Sequence, residues 1–119
     1  MGDFFYIINM KKKNRVKKAE EFQELIHNGK KVINSSFVLY FREKKEDEAR
    51  VGITLSKKMG NAVKRNLIKR QVRMMCSDSL DVSNYPFDII LIVRHSYLDL
   101  SYANNKNNLE KLLIKATIL

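Results

Sequence analysis

The sequence predicts a single α+β domain, a sandwich of one sheet packed by helices in the order αβ(β)βαβα, and three observations carry that prediction. Segments 17–28, 61–76 and 102–116 repeat apolar residues at helical spacing. Around them lie short runs rich in β-formers, the last of them apolar on both faces. At 119 residues and 45% hydrophobic content, the chain fits one core, which excludes a two-domain enzyme and a disordered tail.

Each element follows from local chemistry. From Lys17 to Asn28 the residues Ala19, Phe22, Leu25 and Ile26 share a face, and Gly29 follows where a helix C-terminus favours a left-handed residue. Val32–Ser35 adds a short edge strand before the turn-prone Asn34-Ser35-Ser36. Phe37–Arg42 is rich in β-formers and Arg50–Ser56 alternates strictly, so the two read as a hairpin closed by the charged loop Glu43–Glu48. Residues 61–76 hold no Gly, Pro or acid and form a central helix. After the turn-like stretch 77–86, Phe87–Arg94 reads as a strand covered on both sides, and the strand–helix–strand order implies a crossover. Tyr102–Ala116 closes the chain as a helix with Leu109, Leu112, Leu113 and Ala116 on one face. The basic patch Lys11–Lys18 and the Asn-rich patch Asn104–Asn108 make no second domain.

Charge narrows the function. With 23 Lys and Arg against 13 Asp and Glu, the net charge is +10, a field that draws a polyanion. Cys76 is the single cysteine, so neither an internal disulfide nor a Cys-x-x-Cys zinc site is expected, and a reducing cytoplasm is the simplest setting. The longest apolar run, Ile89–Val93, falls far short of the roughly 20 residues of a membrane span. Phe4–Ile8 is apolar, but its lysines follow it, the wrong order for a signal peptide. Met10 before Lys11-Lys12-Lys13 reads as a natural start. Residues 1–9 are therefore expected to be an extension outside a single RNA-binding αβ domain of residues 10–119.

The central helix carries the chemistry. On a helical wheel Arg65, Asn66, Lys69, Arg70 and Arg73 share one face, while Val63, Leu67, Ile68, Val72, Met74 and Met75 fill the other. No acid stands between Arg50 and Ser77. An ordinary solvated face mixes signs, whereas these cations wait for an anion. Phosphate is the natural one, since Arg forks onto two oxygens and Lys acts as a point charge. Gly60 and Asn61 would let backbone N–H groups meet a phosphate at the helix N-terminus. A P-loop is excluded, because the second glycine and the Lys-Ser/Thr pair are missing.

The run Ser56-Lys57-Lys58-Met59-Gly60-Asn61-Ala62-Val63-Lys64-Arg65-Asn66-Leu67-Ile68-Lys69-Arg70, with Arg73 a turn on, closely resembles the signature of bacterial ribonuclease P protein subunits. The likeness extends from about Arg15 to Ala116, through Glu21-Phe22-Gln23, Phe37-Val38-Leu39-Tyr40, Arg50-Val51-Gly52-Ile53 and Asp88–Arg94. The resemblance implies an accessory subunit that joins ribonuclease P RNA, the catalytic centre, and helps it cleave the 5′ leader from precursor tRNA. It implies a one-to-one ribonucleoprotein, magnesium on the RNA, and no metal, cofactor or catalytic residue on the protein. It also implies a left-handed βαβ crossover, against the usual hand, in a fold similar to a ribosomal small-subunit protein domain.

Carried over by position, Lys57, Lys58, Arg65, Asn66, Lys69, Arg70 and Arg73 match RNA-contacting positions, and Asn61 joins them at the helix start. Phe22 and Tyr40 match the aromatics of a leader-binding cleft, with Ile26 where an aromatic often stands. If Phe37, Leu39 and Phe41 face the core, alternation turns Val38, Tyr40 and Arg42 to the other side, so Arg42 joins Tyr40 as a stacking and phosphate platform. From the residues alone, Phe22 suits a core as readily as an RNA base, whereas Tyr40, with its hydroxyl, favours an edge. The acids in Glu20–Glu24 and Glu43–Glu48 read as solvated or as helix-dipole partners. His27 and His95 fall on different elements, which argues against a self-sufficient nuclease. The rival from another class is a ribosomal or ribosome-assembly protein that binds rRNA.

Overall fold

The computed structural model describes residues 12–16 and 18–119. The expected extension, residues 1–9, lies outside them. Helix α1 spans Ala19–Asn28, strand β1 Lys30–Ile33, β2 Phe37–Glu43 and β3 Val51–Leu55. Helix α2 follows at Ala62–Ser79, then β4 at Phe87–Val93 and helix α3 at Tyr102–Thr117. The sheet has the order β1-β2-β4-β3, with β1–β2 and β2–β4 antiparallel and β3–β4 parallel.

That order corrects the expected hairpin. β2 and β3 do not pair, because β4 lies between them, matching Leu39 with Leu91 on one side and Ile53 with Leu91 on the other. The reason is competition: Ile89, Ile90 and Leu91 are fully buried, and only a central position satisfies both edges of their backbone. The actual hairpin is β1–β2. Asn34 builds its turn, its Oδ1 accepting from the N–H groups of Ser36 and Phe37 at 3.1 and 3.2 Å. The Asn-rich patch belongs to α3 and docks on that turn: Asn34 Nδ2 donates to the Asn108 carbonyl at 2.8 Å, and Ser36 Oγ donates to buried Asn105 at 2.7 Å.

Alternation along β2 gives the sheet two faces. Phe37, Leu39 and Phe41 join Ile89, Leu91 and Val93 in the main core, closed by Ile68, Val72, Met75 and Cys76 of α2 and Leu109, Leu112, Leu113 and Ala116 of α3. Val63 and Leu67, assigned by the wheel to the apolar half, are instead 78% and 50% exposed. At 1.5 Å per residue α2 is about 27 Å long, and its buried residues begin only at Ile68. Its first two turns run past the core.

Helix α1 packs on the opposite face, against β2 and β4. It buries Leu25 and lays the Phe22 ring over Gly52, where an added Cβ would come within 2.7 Å of Phe22 Cζ. Its acids are not merely solvated. The Glu21 carboxylate pairs with the Arg50 guanidinium, and Glu24 accepts from Arg42 at 2.7 Å and from Lys45 at 3.0 Å. Beneath them buried Asp88 accepts from the Arg50 N–H at 2.9 Å and lies 3.7 Å from Arg42 Nε. Gly29 ends α1 in extended backbone, φ −80°, and not in the expected left-handed conformation. A close approach explains the glycine: a Cβ there would lie 2.5 Å from the Leu25 carbonyl oxygen and 2.9 Å from that of Phe41.

Two outcomes follow from this packing. Gly29→Ala should lose about 1–3 kcal/mol in urea unfolding, since both clashing atoms are backbone; a loss below about 0.5 kcal/mol would show that the carbonyls yield. The Arg50 hydrogen bond holds the Glu21 carboxyl below its ordinary value of 4.5. Its contribution is therefore present above 4.5 and fades as pH falls through the lowered value. Amide protection factors in α1 should drop relative to β4 below pH 4.5, and less so in Glu21→Gln. Equal protection of α1 at about pH 3.5 and pH 6 would count against the clamp.

Candidate nucleic-acid interface

The connection from β3 into α2 is a sequence of caps. Ser56 Oγ accepts the Lys58 N–H at 3.1 Å and starts a 3-10 turn, Lys57–Met59, anchored by buried Met59. Lys57 and Lys58 stay exposed. Gly60 adopts φ 142°, a region other residues rarely enter, and a Cβ there would collide with the Lys64 side chain at 2.6 Å. Asn61 caps α2, its Oδ1 accepting the Lys64 N–H at 2.9 Å. One of the helix-start N–H groups expected to face a phosphate is thus taken by Asn61 itself.

Along α2, Arg65, Lys69 and Arg73 recur every four residues beside the core stripe and are half-buried, while Asn66 and Arg70 are exposed. Arg65 Nε is buried with no hydrogen-bond partner. Burial and the nearby Arg15 cation both push the Arg73 guanidinium below its ordinary value. Desolvation and a neighbouring like charge both disfavour the Arg73 cation, and an anion beside it would relieve them. The first acid on α2 is Asp78, in the last turn, paired with Lys106 at 3.3 Å. Arg15 lies beside β3, bridged to Val51. The wheel omitted Arg15, although its place in the basic patch before α1 was a legible hint.

The other candidate group lies across the sheet. Tyr40, Ile90 and Gly52 form one row in register over β2, β4 and β3. Tyr40 and Gly52 are thus roughly 9.5 Å apart, with Phe22 standing over Gly52. Phe22, Ile26 and Tyr40 are all half-buried, as Val38 and Ile92 also are. Arg42 is on the same face but tied to Glu24. The structure therefore gathers Lys57, Lys58, Asn61, Arg65, Asn66, Lys69, Arg70 and Arg73 along α2 and the turn before it, and Phe22, Ile26, Tyr40 and Arg42 under and beside α1. Asp88, Glu21 and Glu24 were missed as organising residues. A single acid inside the apolar run 87–94 was the signal for Asp88, since a buried carboxylate needs partners.

Among the described residues, no three His, Cys, Asp or Glu side chains form a group able to hold a metal ion. No helix among them is long and apolar enough to cross a membrane. The buried Cys76 thiol is pushed up to about 12 by desolvation, which removes it as a nucleophile.

Comparison with known proteins places this geometry. Residues 10–117 match the ribonuclease P family. The ribonuclease P protein component of Mycoplasma capricolum is 44% identical over 107 residues, 89% of this chain and 94% of that protein. A solved Staphylococcus aureus RNase P protein mutant with defective mRNA degradation activity superimposes with a TM-score of 0.81 at 37% identity, covering 95% of this chain and 96% of that one. The RNase P protein of Thermotoga maritima gives 0.71 at 28% identity, with 83% and 94% covered. These matches do not favour the ribosomal alternative. By sequence and by fold, the chain belongs to the ribonuclease P protein component family, part of the endoribonuclease complex that matures tRNA 5′ ends.

Proposed function

We propose that this subunit, acting as a single RNA-binding domain of residues 10–119, binds ribonuclease P RNA through α2 and the turn before it, and the 5′ leader of precursor tRNA beside α1. The observation that carries the reading is the segregation of charge. Glu21 and Glu24 of α1 are paired with Arg50, Arg42 and Lys45, whereas Lys57, Lys58, Arg65, Asn66, Lys69, Arg70 and Arg73 stand in a segment without an acid from Val51 to Ser77. Asn61 orients the start of that surface. Phosphates of a folded RNA fit it because several cations act together on a closely spaced row of charges.

On the other face Phe22, Ile26 and Tyr40 offer partly open apolar and aromatic surface for unpaired bases. Arg42 fixes α1 over that surface through Glu24 and shares its guanidinium at the rim. The chain supplies no catalytic residue and holds no cofactor in this reading; magnesium belongs to the RNA partner. The protein's cations reduce repulsion between two RNAs brought together for cleavage. The assembly is a one-to-one ribonucleoprotein in the cytoplasm.

Two measurements test the reading. Lys69→Ala should weaken binding to ribonuclease P RNA and reduce the log-affinity against log-salt slope by up to about one unit, with the fold intact; an unchanged slope at unchanged affinity would leave α2 a solvated face. Tyr40→Ala should weaken holoenzyme binding of leader-bearing precursor tRNA about five-fold or more, from the loss of a stack worth roughly 1–3 kcal/mol. Leaderless tRNA should bind as before. Equal losses for both substrates would remove Tyr40 from the leader site.

A further inference from the structure

The exposed apolar residues on α2 have no part in a purely ionic interface. Leu67 walls a cavity of about 230 Å³ between α2, the 3-10 turn His95–Asp99 and the start of α3. That is below the roughly 300–1,000 Å³ of drug-sized ligand sites, and suits one planar ring. Its lining includes no acid.

The walls are held from behind. Tyr97 is buried and stands edge-on to Phe37, ring centroids 5.8 Å apart. Its hydroxyl donates to Gln71 Oε1 at 2.9 Å. Asn105, also buried, donates to the carbonyls of Tyr97 and Leu100 at 3.0 and 3.3 Å. Gln71 lines the cavity, and its Nε2 is an amide donor. Lys64 also lines the cavity, its stem laid against Gly60. Tyr102, 38% exposed, adds an aromatic surface at the start of α3. Aromatic and aliphatic walls, a fixed amide donor and one cation match the parts of a nucleotide: ring, acceptor edge and phosphate.

We infer that this cavity receives a single unpaired base of the ribonuclease P RNA, packed against Tyr102 and Leu67, with its acceptor edge on Gln71 Nε2 and its phosphate near Lys64. The inference rests on the reading of α2 as the surface that meets that RNA. Continuity with the cation row from Lys57 to Arg73, and the absence of acids, select RNA over an apolar protein segment. The amide donor calls for an acceptor on the base edge, which every base has, so it sets the orientation of the base and not its identity.

The test uses the folded full chain, the ribonuclease P RNA, a salt series and chemical probing of unpaired base edges. Tyr102→Ala should bind the RNA at least five-fold more weakly at every salt concentration with an unchanged slope, the mark of a lost non-ionic contact. Tyr102→Phe should bind as the unaltered chain does. One unpaired base, protected by the unaltered protein, should regain reactivity with Tyr102→Ala. Should that variant lose its fold, Leu67→Ala, at a half-exposed position, carries the same measurements. Normal RNA binding by Tyr102→Ala and Leu67→Ala, alongside a reduced slope in Lys69→Ala, would overturn the cavity and leave the proposed function standing. Failure of the unaltered chain to bind the RNA would overturn both.

Discussion

The centre of strand β4 is buried on both faces, and the architecture follows from covering it. Asp88, Ile89, Ile90 and Leu91 are buried in succession, so both of the strand's faces need cover and both of its edges need partners. β2 takes one edge and β3 the other. α2 and α3 close one face, and α1 with its single ten-residue span covers the other. Because α1 is short, Ile90 is sealed while Val38, Tyr40 and Ile92 remain half-buried. An open strip beside a short helix is thus a geometric consequence of a strand that is apolar all round.

The lone acid of that strand organises the electrostatics around it. Asp88 would be an unpaired buried charge without Arg42 at 3.7 Å and the Arg50 N–H. The two arginines in turn hold Glu24 and Glu21 of α1. Glu21, Glu24 and Asp88 are therefore engaged around α1, and α2 itself carries no acid before Asp78. Exposed pairs of this kind add little stability singly, but they set the position of α1. Positive charge is left concentrated along α2 and the turn before it.

Both candidate surfaces converge on β3. Its parallel ladder to β4 carries Gly52, the only residue type that lets Phe22 lie so close, and its far end leads directly through Ser56 into the cation turn and α2. Arg15 and Val16 meet its other edge at Val51, Val16 donating to the Val51 carbonyl at 2.9 Å. A shift of β3 would move the aromatic group and the cation row together.

The sequence by itself determined the elements and the chemistry of the main surface. Helical spacing located α1, α2 and α3, alternation on β2 put Phe37, Leu39 and Phe41 inward and Tyr40 outward, and the acid-free stretch with its specific spacing pointed to the ribonuclease P family. These are local properties, set by backbone period and by charge along the chain. Tertiary structure alone decided which strands pair, because pairing is a competition among distant segments: β4 displaced β3 from β2 although a short loop joins those two. It decided why Gly29 is a glycine, since the carbonyl of Phe41 arrives from another strand. It turned Val63 and Leu67 outward, because a wheel assigns a face but not where the core stops. It also joined α2 to residues some thirty positions away in Tyr97 and Tyr102, and a cavity made from separate elements leaves no periodic trace in a linear sequence.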